Sequence, residues 1–273
     1  MREIDNVKEI HSILFDSLCY FDCFCREHGL KYFLANGTLL GAAKYGKFIP
    51  WDDDVDVLMP REDYDRLVSL TGINNDRYRL LCREMVPEWR MPYAKLSCEE
   101  TFIKEGEYNF GTEFGLSVDI FPIDKWSSCL LIARLQALRG EILKRFLVCS
   151  IGGEFNSAQI GLKRLILKLI WVCGKRLGHK RILEKILRSV ECSKKRKKKY
   201  LGCLSWTCHL HNEVFPASCF ARTGYLTFCG QLFPVFTEYE RYLDNLYGNW
   251  LAELPPEKQH SNHDIKVWRK DAE

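Results

Sequence analysis

Among the 273 residues of this chain, those best suited to chemistry are three aspartates at two-residue steps. They are Asp52, Asp54 and Asp56, in the run Trp51-Asp52-Asp53-Asp54-Val55-Asp56-Val57-Leu58-Met59. Side chains alternate across a strand, so positions two apart share a face. The three carboxylates are expected to project together while Val55 and Val57 point into the core. Carboxylates gathered this closely repel one another unless cations neutralise them. Hard oxygen donors of this kind suit Mg²⁺ or Mn²⁺ rather than zinc. A solvated acidic turn is the plainer reading of an Asp run. Against it stand Trp51, the interleaved valines and the bounding prolines Pro50 and Pro60, which mark a packed segment.

A fourth carboxylate, Asp119, stands in Ser117-Val118-Asp119-Ile120-Phe121-Pro122, flanked by β-branched and aromatic residues. On an adjacent strand it would complete a metal site or serve as general base; Asp124 competes for that role, and an edge or ion-paired residue is the plainer reading. Upstream, Gly37-Thr38 leads from a strand into a helix, where glycine lets backbone N–H groups approach a phosphate at the helix's positive end. Lys44, Lys47 and Lys95 are candidate phosphate contacts, with solvent exposure the ordinary fate of any one lysine.

The elements that must position these groups are readable from periodicity. Val7, Ile10, Leu14, Leu18, Phe21 and Cys25 recur at helical steps from Val7 to His28, and Gly29 offers a stop. A strand is expected at Tyr32–Ala35, then a turn at Asn36-Gly37-Thr38 and a brief helix at Leu39–Tyr45. Asp54–Met59 reads as a strand ended by Pro60, and Arg61-Glu62-Asp63-Tyr64 opens a helix with acidic residues in its first turn. Further strands are expected at Tyr93–Cys98 and at Leu116–Phe121, the latter closed by Pro122. Residues 130–192 read as basic helices, and Thr237–Leu246 as a helix terminated by Gly248, before an irregular tail from Leu254. The mixture predicts an α/β or α+β core.

Charge divides the chain. Between Lys125 and Tyr200 stand 20 Lys and Arg against four Asp and Glu, in a protein whose net charge is only +4. The acidic part suits a metal, the basic part phosphates or an anionic surface. Leu- and Lys-rich helices across 130–192 suit a membrane surface and equally an ordinary solvated face. The run Lys194–Lys199 lacks aromatic interleaving or any recognised nucleic-acid module, so a solvated loop is expected and nucleic acid is not. No apolar run reaches membrane-spanning length; Leu165–Cys173 is interrupted by Lys168. The first residues lack the apolar stretch of a signal peptide, so the thirteen cysteines are expected to be reduced, in a cytoplasmic protein that works at the inner face of the membrane if its basic helices dock there. Cys203, Cys208, His209, His211, Cys219 and Cys229 match no paired zinc-knuckle spacing. His260 and His263, with Asp264, are candidate substrate contacts or plain surface residues. Trp51, Trp89 and Trp206 are equal candidates for an aromatic pocket.

Three blocks together resemble a known family. Asn36-Gly37-Thr38-Leu39-Leu40-Gly41, then Phe48-Ile49-Pro50-Trp51-Asp52-Asp53-Asp54-Val55-Asp56 and Pro60-Arg61-Glu62-Asp63-Tyr64, resemble the LicD signature, within the nucleotidyltransferase superfamily. Val118-Asp119-Ile120-Phe121-Pro122-Ile123-Asp124 resembles its second acidic motif. Tyr242-Leu243, Leu246-Tyr247-Gly248, Leu254-Pro255-Pro256 and His260 resemble its C-terminal block. The resemblance implies an α+β, nucleotidyltransferase-like core with a small mixed sheet backed by helices, joined to a basic helical subdomain. The implied division is 1–125 for the catalytic core, 126–231 for the basic helical insert and 232–273 for a C-terminal segment packing back on the core. It implies Mg²⁺- or Mn²⁺-dependent transfer of phosphocholine, or a related phospho-alcohol, from a CDP-alcohol such as CDP-choline to a cell-surface glycan or lipid-linked glycan precursor. Asp54, Asp56 and Asp119 match the metal carboxylates, Asp52 the longer acidic run and Gly37-Thr38 the turn at the donor phosphates. Lys44 stands where an arginine is expected. Two alternatives stay open: nucleotidyl transfer from a triphosphate, and a non-catalytic membrane- or glycan-binding module.

Overall fold

The computed structural model describes residues 1–155, 159–255, 257, 259–261 and 265–271. After a short strand β1 (Arg2–Glu3), the helically spaced apolar residues of the N-terminal segment form α1 (Val7–Glu27). The Asn6 side chain caps it by accepting from the Lys8 N–H at 3.0 Å, satisfying one orphan donor of the first turn. Its buried stripe of Ile10, Leu14, Leu18 and Phe21 packs into the main core.

Strand β2 (Phe33–Leu34) leads into α2 (Asn36–Tyr45), so the expected turn residues Asn36, Gly37 and Thr38 form the helix's own first turn. Then come β3 (Val55–Pro60), α3 (Arg61–Leu67), β4 (Tyr78–Leu81), β5 (Ala94–Cys98), β6 (Thr101–Glu105) and β7 (Ser117–Lys125). Helices α4 (Leu130–Ile151), α5 (Gly161–Leu177) and α6 (His179–Lys194) fill the basic stretch. The rest comprises β8 (Tyr200–Gly202), β9 (Phe215–Pro216), the hairpin β10 (Thr223–Phe228) and β11 (Gln231–Phe236), α7 (Tyr239–Tyr247) and β12 (Ile265–Arg269). The architecture is α+β.

The central sheet has the order β2-β3-β7-β5-β4, with β3 and β7 parallel and the other neighbours antiparallel. β3 and β7 are buried almost end to end, as expected of parallel strands covered on both faces. A separate antiparallel sheet, β1-β12-β6, joins the N-terminal strand to β6. The β10–β11 turn places Cys229 and Gly230 at φ 51° and 85°, the pair of positive values that a two-residue hairpin favours. This hairpin crosses position 231, and its strands contact β2 and α2. No helix among the described residues is long and apolar enough to cross a membrane. All thirteen cysteines are free.

One expectation is corrected. Pro122 does not close its strand: β7 continues to Lys125, with Pro122 in register with Met59 of β3. The pairing with β5 reaches only Ile120, opposite Ala94, and β8 joins only at Asp124. Proline, lacking an N–H, therefore falls where that side of the strand has no partner.

β7 also sorts its two aspartates. Asp119 and Asp124 are an odd number of residues apart, so they face opposite sides. Asp124 is fully buried and takes two hydrogen bonds, from Arg61 Nε and Nη2, at 2.8 and 3.0 Å. This bidentate pair ties α3 to the sheet. Removing one partner strands a buried charge, so Asp124→Ala is expected to lower stability by about 3–5 kcal/mol, read by urea titration.

Candidate active site

The chemistry converges because two strand registers align. β3 sets Asp56 beside Asp119 of β7, and β5 sets Lys95 opposite the same Asp119. A single row across three strands thus carries carboxylate, carboxylate and ammonium, all buried. Lys95 Nζ donates to both Asp119 oxygens at 2.5 and 2.6 Å, and Ser117 Oγ donates to Oδ1 at 3.2 Å. Burial disfavours the Lys95 ammonium, but the Asp119 charge and hydrogen bonds outweigh it and hold its pKa above the ordinary lysine value. Among the described residues, Asp56 has no such cation. Burial raises its carboxyl well above the usual aspartate value; the charges of Asp54 and Asp119 add to this, a hydrogen bond from Asn36 works against it, and Asp52 pushes it further.

Asp52, Asp53 and Asp54 precede β3 in the turn rather than on the strand, half-buried, with one carboxylate oxygen from each within 4.8 Å of the others. Two residues shape this turn. Gly37 packs so closely that a Cβ there would lie 2.7 Å from Asp52 Oδ2. His11 of α1, stacked on Phe48, donates from Nε2 to the Asp52 carbonyl at 2.7 Å; burial lowers its pKa, consistent with a neutral ring holding that bond. Thr38 is buried and accepts from the Asp56 N–H at 2.8 Å, which fixes α2 against β3.

These groups open on a cleft of about 280 Å³, lined by Asp53, Asp54, Asp56, Lys95 and Asp119 together with Asn36, Glu105 and an aromatic wall that includes Tyr93 and Trp206. Of the sequence candidates, Asp54, Asp56, Asp119 and Lys95 line it, and Gly37 and Thr38 back it. Lys44 and Trp51 do not line it. Lys44 instead donates to the Ala252 carbonyl at 2.7 Å and pairs with Glu253 at 3.3 Å. Trp51 is half-buried at the acidic turn, while Trp89 is locked in the core with its indole N–H on the Tyr93 carbonyl. Trp206 is the tryptophan at the cleft.

Several participants escape sequence reasoning. Asn36, at φ 43°, accepts from the Tyr242 hydroxyl at 2.8 Å while bonding Asp56, so α7 braces the carboxylate row through one amide. Tyr247, also on α7, has its phenol pushed up by burial and by the charges of Asp56, Asp52 and Asp54. Asp53 accepts from Ser261 Oγ at 2.5 Å. Asn36, Asp53, Tyr242 and Tyr247 all lie in the motif blocks, which was the available signal; His11, Tyr93 and Glu105 carried none, and Trp206 stood unranked among three candidate tryptophans. His263, Asp264 and Pro256 lie outside the described residues.

The donor set fits a hard divalent cation. The tightest cluster is purely carboxylate, and Asp56, with repulsive neighbours and a raised proton affinity, is a place where a cation relieves electrostatic strain. Among the described residues, the Cys203–Cys229 stretch gathers no such group.

The sign of the Asp56 shift makes a prediction. A carboxyl whose folded pKa is raised costs stability as pH climbs from the unfolded aspartate value of about 3.9 through the folded one. Without divalent cations, Asp56→Asn is therefore expected to be more stable than wild type at neutral pH. The difference should vanish below about pH 4, as followed by thermal melts across pH in EDTA.

With the geometry described, comparison with known proteins identifies the relatives. Residues 29–133 match the family model described as LicD/FKTN/FKRP, nucleotidyltransferase domain. Over 268 residues, 95% of this chain and 96% of the relative, the protein is 27% identical to the lipopolysaccharide cholinephosphotransferase LicD of Haemophilus influenzae. Over 44 residues it is 48% identical to the ribitol 5-phosphate transferase FKRP of Homo sapiens and of Mus musculus, covering 16% of this chain and 9% of each relative.

Proposed function

We propose, for a chain that belongs to the LicD family, that it is a phosphotransferase moving a phospho-alcohol onto a glycan hydroxyl. The finer reading is phosphocholine, or a close analogue, passed from a CDP-alcohol to a glycan or lipid-linked glycan in the presence of Mg²⁺ or Mn²⁺. The observation that carries it is the buried Asp56–Asp119–Lys95 row beside the Asp52–Asp54 turn.

Asp54, Asp56 and Asp119 are the residues assigned to hold the cation, with Asp52 and Asp53 adjoining. Bound there, the cation supplies charge neutralisation for the donor pyrophosphate and polarises the phosphorus under attack. The chain's own residues do the rest. The first-turn N–H groups of α2, around Gly37 and Thr38, have no intrahelical acceptors and face phosphate oxygens. Lys95 fixes the orientation of Asp119 and adds positive charge near the transferring group. An acceptor hydroxyl attacks the phosphorus bearing the alcohol, the P–O bond to CMP breaks, and Asp119 or a neighbouring carboxylate takes the hydroxyl proton. The aromatic wall at Tyr93 and Trp206 already faces the Lys95 and Lys144 ammonium groups, 5.8 and 5.7 Å from the ring centroids, so a trimethylammonium group would share these π-faces with them, with Glu105 beside it supplying negative charge.

Incubation with Mg²⁺, a panel of CDP-alcohols and a glycan acceptor is expected to release CMP, with the phospho-alcohol recovered on the acceptor and turnover abolished by EDTA. Pyrophosphate release from CTP in place of CMP would instead indicate nucleotidyl transfer. Asp54→Ala and Asp56→Ala are each expected to lower kcat by at least about 10³-fold with an unchanged circular dichroism spectrum. Gly37→Ala, which drives a methyl into the Asp52 carboxylate, is expected to cost about 10²-fold in kcat with little change in melting temperature.

A further inference from the structure

Helix α5 has two apolar faces, and only one is covered. Toward the protein it presents Gly174, its one buried residue, where a Cβ would lie 2.6 Å from the Phe146 carbonyl oxygen of α4. Leu167, Ile170 and Trp171 line an open groove of about 1080 Å³ between α5, α4 and the 105–108 segment. Away from the protein, Leu162, Leu165, Ile166 and Leu169 are 48–72% exposed. At 100° per residue these four fall within an arc of about 100°, centred about 130° from Gly174. A contiguous bare stripe of this kind on a folded domain calls for a partner.

The charge on α5 identifies which partner. The helix carries Lys163, Arg164, Lys168, Lys175 and Arg176 and no acidic residue. A second copy of the chain seated on this face would oppose cations to cations; an anionic bilayer accepts both the apolar stripe and the charges that flank it. Helix α4 offers a similar stripe, Leu131, Leu135, Leu138 and Ile142, at 44–67% exposure. The groove behind α5 shares Glu105, Tyr108 and Val148 with the catalytic cleft, so the two hollows adjoin.

We infer that α5 is an interfacial helix whose Leu162–Leu169 face lies in the surface of an anionic membrane. That placement presents the groove and the cleft beyond it to an acceptor carried on lipid. Docking stands independently of the transfer chemistry; the delivery of a lipid-borne acceptor rests on it.

The test is flotation of the full chain at low salt with vesicles of phosphatidylcholine alone and of equal parts phosphatidylcholine and phosphatidylglycerol. The wild type is expected to float with the anionic vesicles only. Leu165→Glu combined with Leu169→Glu is expected to reduce binding at least about tenfold, with the melting temperature unchanged and phospho-alcohol transfer to a soluble acceptor, read as CMP release, unchanged. Failure of the wild type to float with anionic vesicles overturns the inference, as does a double variant that floats like wild type. A wild-type dimer in sedimentation equilibrium that the double variant separates would assign the face to a second copy and overturn it too. Vesicle binding without CMP release from any CDP-alcohol would uphold docking and strike the transfer reading alone.

Discussion

Like charges brought out of water at close range govern how this molecule is built. The parallel pairing of β3 and β7 forces Asp56 and Asp119 side by side, and the acidic turn ahead of β3 adds further negative charge. A protein with nothing else to accomplish would replace such a row with apolar residues at a gain in stability. Here the surroundings relieve the repulsion only in part. Lys95 compensates Asp119, Asn36 donates to Asp56, and Asp56 is left with a proton affinity raised by burial and by its neighbours. Stability given up at one buried spot, with the rest of the sheet well packed, is the usual mark of a functional site.

The remaining structure serves that constraint. α2 closes on β3 through the Thr38 hydroxyl, which accepts from the Asp56 N–H, α1 reaches in with His11 to hold the turn, and α7 steadies Asn36 through Tyr242. Each contact joins segments distant in sequence, so the geometry of the site depends on the whole core being formed.

Much of this was legible in advance, for identifiable reasons. The acidic run and the β3 periodicity are local patterns, and apolar residues alternating with aspartates read directly as a strand. The helices α1 and α7 announced themselves by spacing and by their glycine stops. What could not be read was pairing. Nothing local says that Lys95 lies opposite Asp119 rather than in solvent, because strand register is settled by the packing of the entire sheet. The start of β3 at Val55 moved Asp52 and Asp54 into a turn, where the two-residue alternation no longer applies. Pro122 misled because proline ends a strand only if its missing N–H would have been used. The cleft's aromatic wall draws Tyr93 and Trp206 from segments more than a hundred residues apart, which composition alone cannot rank.

Strand β7 also has a mechanical consequence. It bears Asp119 near one end, and at the other it holds β8 and lies against α6. The five steps between Asp119 and Asp124 span about 17 Å of extended backbone, clamped at the far end by Arg61. The carboxylate row and α6 of the basic helical layer therefore share one strand. Whatever fixes the tilt of the helices thereby fixes the direction in which the cleft faces, and the molecule can be aimed as a single piece.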